Sequence, residues 1–175
     1  MDFLDFTHLH ERHPGLTDHL CGTFAEAARV CLSRHHVPSI ELQIDVEEKL
    51  CSRRLAWTPP TAQEQRAHGN ATDATEAGAY ALSIAAMEQE LHYYVIGRTD
   101  ILTGADFYID LDPTKDDLET AYRLEVSGVD HGDTLALRHR LRKKVQQTRH
   151  GVLDTPAYAA VVGFLAKQIL IRGER

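Results

Sequence analysis

Residues 104–128 decide the fold. They read Gly-Ala-Asp-Phe-Tyr-Ile-Asp from Gly104 to Asp110, then a polar connection, then Tyr-Arg-Leu-Glu-Val-Ser-Gly from Tyr122 to Gly128. Both ends alternate with the period of two that marks a β-strand. In the first, Asp106, Tyr108 and Asp110 share one side, and Phe107, Ile109 and Leu111 the other. In the second, Arg123, Glu125 and Ser127 lie opposite Tyr122, Leu124 and Val126. If the two strands are neighbours, Asp106 and Glu125 stand side by side. Two carboxylates on rigid elements suit a hard divalent cation such as magnesium or manganese. The same alternation also describes a plain solvated sheet face.

Upstream of this stretch, Leu16, Leu20, Phe24, Ala27 and Cys31 form one helical stripe, with Thr17 or Asp18 available as a cap and Pro38 beyond the end. Ile40, Leu42, Ile44 and Val46 alternate with acidic and polar residues. They predict a half-buried strand that returns through a tight turn at Glu47–Lys49 into a second strand over Leu50–Trp57. Residues 58–74, with Pro59 and Pro60, read as a long surface loop. A helix is expected over Thr75–Leu91, whose small residues Ala77, Gly78, Ala81, Ala85 and Ala86 point to close packing on a sheet. A strand over Tyr93–Arg98 precedes the central stretch. After it come a helix over Thr134–Thr148 ended by Gly151, an apolar strand over Ala157–Leu165 and a short strand at Gln168–Ile171. Phe107, Ile109, Leu124, Val126, Val161 and Phe164 are the expected core.

The 175 residues suffice for one domain with a substantial core, and 43% hydrophobic with 26% charged residues is ordinary globular composition. No apolar run reaches the ~20 residues of a membrane span, so no membrane partner is expected. The acidic, His-rich segment from Met1 to Pro14 lacks the pattern of a signal peptide, and a cytoplasmic location follows as the expectation. His8, His10 and His13 within it read as a mobile or loosely docked terminus before a metal site. Cys21, Cys31 and Cys51 have no paired spacing and read as reduced thiols. A net charge of −7 removes any whole-molecule attraction to nucleic acid. The local exception is the basic run from Arg138 to Arg149, which reads equally as a solvated helix face.

From Thr75 onward the order is helix, three strands, helix, strand. An Asp stands at the second strand and a Glu on the third, and a basic, glutamine-bearing helix follows. In this the chain resembles the PD-(D/E)xK nuclease superfamily over residues 75–175. The resemblance implies a restriction-endonuclease-like α/β core, a mixed central sheet flanked by helices. Residues 1–57, a helix and a β-hairpin, would precede that core within a single domain. It implies that Asp106, Glu125 and the carbonyl of Val126 bind magnesium or manganese, with Glu76 or Glu88 as the extra carboxylate from the preceding helix. Arg138, Arg142, Lys143, Gln146 and Gln147 would meet nucleic acid. The chain departs from the family at Ser127, where a lysine is expected two residues after the Glu. Lys144 or Lys143 is the replacement that the resemblance suggests, and helix phase favours Lys144 because it lies three residues after Leu141 and seven after Leu137.

Three readings of function follow. The first is a metal-dependent phosphodiesterase acting on nucleic acid. The second is an inactive nuclease-fold module that binds a protein partner through the exposed edge of the N-terminal hairpin. In the third, Asp106 and Glu125 are ordinary surface residues of an unrelated α+β domain. A homodimer is compatible with each. No nucleotide-binding glycine motif is present. Gly128–Asp133 fits a turn, and Ser127 beside His131 in sequence does not make a nucleophile and its base.

Overall fold

A computed structural model describes residues 2–100, 104–149 and 155–174; the expected stop at Gly151 lies outside them. Helix α1 (Asp18–His35) starts at Thr17, whose hydroxyl accepts the Leu20 N–H at 3.3 Å. Strands β1 (Ile40–Val46) and β2 (Lys49–Leu55) form a hairpin whose two turn residues, Glu47 and Glu48, both have positive φ. Two such residues turn the chain with the same twist as the strands they join. Residues 58–74 are not one loop. Thr61 and Glu64 form a reciprocal capping box that starts α2 (Ala62–Ala67). Asn70 then caps α3 (Ala71–Leu91), which begins four residues before the expected start. The prolines hid these caps from a reading based on apolar periodicity, because α2 buries no residue.

Strands β3 (Tyr94–Arg98), β4 (Phe107–Asp110) and β5 (Tyr122–Val129), helix α4 (Thr134–Arg149), and strands β6 (Ala157–Gly163) and β7 (Gln168–Gly173) complete the chain. All seven strands join one sheet in the order β2-β1-β7-β6-β5-β4-β3. β1 with β7 and β5 with β6 are parallel; the other neighbours are antiparallel. The N-terminal hairpin therefore extends the same sheet through β7, giving a single α/β domain with a mixed sheet flanked, among the described residues, by four α-helices.

The faces of the sheet are covered differently. α1 and α3 bury Leu42, Ile44, Leu124, Val126, Val162 and Ile169 on one side, whereas Leu137 and Leu141 of α4 cover Ala159, Val161 and Leu170 on the other. All six residues expected in the core are buried. Gly78, one of the small residues of α3, meets α1. A Cβ at Gly78 would stand 3.0 Å from the Ala28 backbone, so this part of α3 packs on α1 and not on the sheet. The sheet contact is made elsewhere: a Cβ at Gly128 of β5 would lie 2.4 Å from the Thr75 carbonyl oxygen of α3. Gly128→Ala is expected to lower stability by about 1–3 kcal/mol, the usual cost of overpacking, read as a lower urea midpoint at unchanged m-value. An unchanged midpoint would show that α3 and β5 are not in this contact.

The N-terminal segment is docked, contrary to the expectation of a loose terminus. Leu4, Phe6 and Leu9 are buried, and His13 is fully buried. The His13 Nδ1 accepts the Val95 N–H at 2.9 Å, and its Nε2 lies 3.1 Å from Glu88 Oε2. Phe3 bridges Arg54 at the outer edge of β2, with Leu4 N–H donating to Arg54 O and Arg54 N–H to Asp2 O. The hairpin edge is thus partly covered by the chain's own first residues. Cys21 and Cys31 are buried, and burial pushes the Cys31 thiol up to about 11, as expected of unreactive reduced thiols.

Candidate functional site

Asp106 directly precedes β4, and Glu125 lies within β5. The pairing of Phe107 with Leu124 places Asp106 across from Glu125. The Asp106 N–H donates to Leu124 O at 2.9 Å, which fixes the backbone. Its side chain is held at both oxygens: Oδ2 accepts the Val126 N–H at 2.8 Å, and Oδ1 accepts the Tyr80 hydroxyl at 2.9 Å. Tyr80 comes from α3, and its ring packs edge-on against Phe107 at 5.1 Å. The same hydroxyl lies 2.7 Å from Glu76 Oε1, one helical turn earlier. Burial, followed by the charge of Asp106, drives the Tyr80 pKa upward, so the hydroxyl keeps its single proton. One proton cannot satisfy two carboxylates at once.

On the α4 side, the Lys144 Nζ stands 2.5 Å from Glu125 Oε1. Burial is the main cause, and the neighbouring charge of Asp106 the next, of a Glu125 pKa raised to about 7 against the opposing pull of Lys144. The closeness of Asp106 that acts on Glu125 follows from the pairing of β4 with β5, which sets the two residues across from each other. If ionised, Glu76, Asp106 and Glu125 carry three negative charges against one on Lys144, a formal excess of −2 that a divalent cation would balance. In an extended strand the N–H and C=O of one residue point to the same side, so the Val126 carbonyl lies on the β4 side of β5, as its N–H does. Carboxylate and carbonyl oxygens are hard donors of the kind magnesium and manganese take, although among the described residues the group of three ligand atoms that lies within 4.8 Å is that of His35, Asp130 and His131, not that of Glu76, Asp106 and Glu125.

Other residues named from sequence fall elsewhere. Glu88 is about 18 Å further along α3 than Glu76, at 1.5 Å per residue. It is held by Arg12 Nε at 2.8 Å and by His13. Burial alone would raise its pKa, yet the His13 and Arg12 hydrogen bonds hold it below the usual carboxylate value. Glu88 therefore anchors the N-terminal segment and does not reach Asp106. Asp110, on the Asp106 side of its strand, pairs with Lys115 at 2.6 Å. Lys143 is exposed on the outer side of α4, and Arg142, Gln146 and Gln147 are exposed too.

A cleft of about 560 Å³ opens beside the carboxylates, between the first turns of α3 and the inner side of α4. Glu76, Ser127, Arg140 and Lys144 line one part of it, and Asp130 and His131 another. The basic helix is thereby divided. Arg140 and Lys144 face the cleft, while Arg138, Arg142 and Gln146 line a separate hollow with Asp45, Glu48 and Arg172. Sequence reasoning missed Arg140, although its position one turn before Lys144 signals a shared face. It also missed the tie from Tyr80 to Asp106, which no local pattern announces. No protein-family model, no curated protein and no solved structure matches the chain.

Proposed function

We propose that the chain is a metal-dependent phosphodiesterase of nuclease type, with Asp106, Glu125 and the Val126 carbonyl holding magnesium or manganese and Glu76 at the edge of the site. The observation that carries this reading is the Lys144 ammonium at 2.5 Å from Glu125, which the strand pairing sets across from Asp106. It is a lysine on the helix after the Glu strand, brought to the carboxylate pair where Ser127 offers no charge. The bound ion would supply Lewis acidity and a more acidic water. Glu125 and Asp106 orient the ion, Lys144 places positive charge beside the reacting phosphate, and Arg140 on the cleft wall meets a phosphate further along the strand. Nucleic acid is the polyanion proposed for this cleft, since a molecule with net charge −7 needs its cations concentrated where phosphates bind.

The alternative, an inactive binding module engaging a protein partner at the hairpin edge, loses support because Asp2–Leu4 occupy part of that edge. The deciding assay incubates single- and double-stranded DNA and RNA with the protein and magnesium or manganese, next to Asp106→Ala. Cleavage by the wild type that disappears in Asp106→Ala is expected. Silence of the wild type with every substrate and both metals rejects the enzyme and moves the assignment to the binding module.

A pH dependence follows from Glu125. Its folded pKa of about 7 lies above the ordinary value of 4.5, so between these values the folded state binds more protons than the unfolded chain. This contribution to metal-free stability is present below pH 4.5 and lost as pH rises through about 7. Melting curves should show the decline in wild type and a smaller one in Glu125→Gln. Magnesium competes with the proton, so calorimetric affinity is expected to increase as pH rises through about 7, and to vanish in Asp106→Ala. Equal binding by wild type, Asp106→Ala and Glu125→Ala rejects the site.

A further inference from the structure

Asp130 and His131 of the cleft wall converge with His35, and the carboxylate site uses none of the three. His35 is in the last turn of α1, while Asp130 and His131 follow β5 directly. One ligand atom from each can be chosen so that all three lie within 4.8 Å of one another. The His35 Nε2 is 2.8 Å from Asp130 Oδ1, the His131 Nε2 is 3.6 Å from Oδ2, and the two rings meet at right angles with centroids 4.6 Å apart.

The arrangement is fixed by the backbone around it. The Asp130 carbonyl accepts the Leu165 N–H, and the Phe164 N–H donates to Val129 O. His36 Nε2 lies 2.9 Å from Phe164 O and so ties the end of α1 to the same turn. The His35 side chain is only 6% exposed, whereas that of His131 is 74% exposed. Two elements distant in sequence thus hold one buried imidazole and one carboxylate, and a second imidazole can swing onto them without disturbing the core.

We propose that His35, Asp130 and His131 bind a borderline divalent cation of the zinc class, at a site separate from the magnesium-type carboxylates. Imidazole nitrogen selects zinc, cobalt and nickel over magnesium, which prefers oxygen and its own water. Asp130 has oxygens for two tasks. Oδ1, now beside His35, takes the metal, while Oδ2 keeps the Arg34 guanidinium at 3.1 Å as its outer partner. Three protein ligands leave a fourth tetrahedral position open, and Asp130 and His131 line the cleft into which it opens. The ion would also clip the end of α1 to the β5–α4 turn.

The proposal is independent of the nuclease reading, and zinc and cobalt alone are its probes. Isothermal titration of the full chain with zinc is expected to show one strong site, and cobalt should give the visible absorption of a tetrahedral complex. His131→Ala removes an exposed ligand without touching the core, and should weaken zinc about a hundredfold, the upper end of what losing even an outer-shell partner costs. Asp130→Asn should do the same, while Asp106→Ala leaves zinc binding intact. His8→Ala/His10→Ala controls for the histidine pair near the N-terminus, whose rings lie 6.2 Å apart. Zinc binding lost in His131→Ala and Asp130→Asn, and kept in the other two variants, establishes the site. No strong site in wild type, unchanged affinity in His131→Ala, or loss only in the His8/His10 variant overturns it.

Discussion

Lys144→Met is expected to lower the rate of phosphodiester cleavage about 10²–10³-fold, with a much smaller effect on nucleic-acid affinity. The expectation rests on where the ammonium stands. It is 2.5 Å from Glu125 and lines the cleft, so under the proposed function its charge would act at the reacting phosphate. Charge placed where it develops in the transition state changes rate more than binding. A phosphate-holding residue behaves in the opposite way: its neutralisation weakens binding and flattens the salt dependence, which is the outcome expected for Arg140→Gln.

Lys144 also counteracts the rise in the Glu125 pKa, so its removal is expected to push that carboxyl further up and to weaken the proposed metal binding. The comparison with wild type therefore belongs at saturating metal and at a pH well above 7. A rate that recovers fully there makes Lys144 a positioning residue acting through Glu125. A persistent deficit, partly relieved in Lys144→Arg, assigns the charge to the reaction itself. Equal rates for wild type and Lys144→Met under all conditions remove the lysine from the mechanism. Lys143→Met serves as the control, because its exposed position on α4 predicts little change in rate.

Phe107→Ala is expected to destabilise the fold by about 3–5 kcal/mol. Phe107 is fully buried, and its ring meets Phe24 at 6.4 Å and Tyr80 at 5.1 Å, both edge-on. The Arg98 guanidinium lies 4.7 Å from the ring centroid on another side. Truncation leaves a cavity among α1, α3 and β4, elements that cannot close over it without moving the sheet. For a chain of this size each kcal/mol shifts Tm by about 2–4 °C, so a fall on the order of 6–20 °C should appear in a thermal scan. Phe107→Leu, which keeps most of the volume, should cost distinctly less. Because Phe107 adjoins Asp106 and supports Tyr80, the truncation should also weaken magnesium. A Tm within a degree or two of wild type would remove Phe107 from the core.

The sequence alone determined the strands and their faces. Alternation placed Phe107, Ile109, Leu124 and Val126 inside, and the same alternation put Asp106 and Glu125 within reach of each other, because a strand repeats every two residues wherever it lies. Helical phase placed Lys144 ahead of Lys143 for the same local reason. What lay outside this reading were contacts between elements far apart in the chain. Glu76 and Glu88 both look like carboxylates on the helix before the strands. Only the packing of α3 decided that Glu76 meets Tyr80 beside Asp106 and that Glu88 is held by Arg12 and His13. Helix α2 escaped because its start is set by a capping box and no apolar stripe follows. The N-terminal segment read as loose because its three apolar anchors, Leu4, Phe6 and Leu9, have no period, and their burial depends on a groove made by later residues. His35 and Asp130 stand 95 positions apart. Local sequence encodes the orientation of a side chain on its own element, but which distant groups share a few ångströms is decided by the long-range packing of the sheet and its helices.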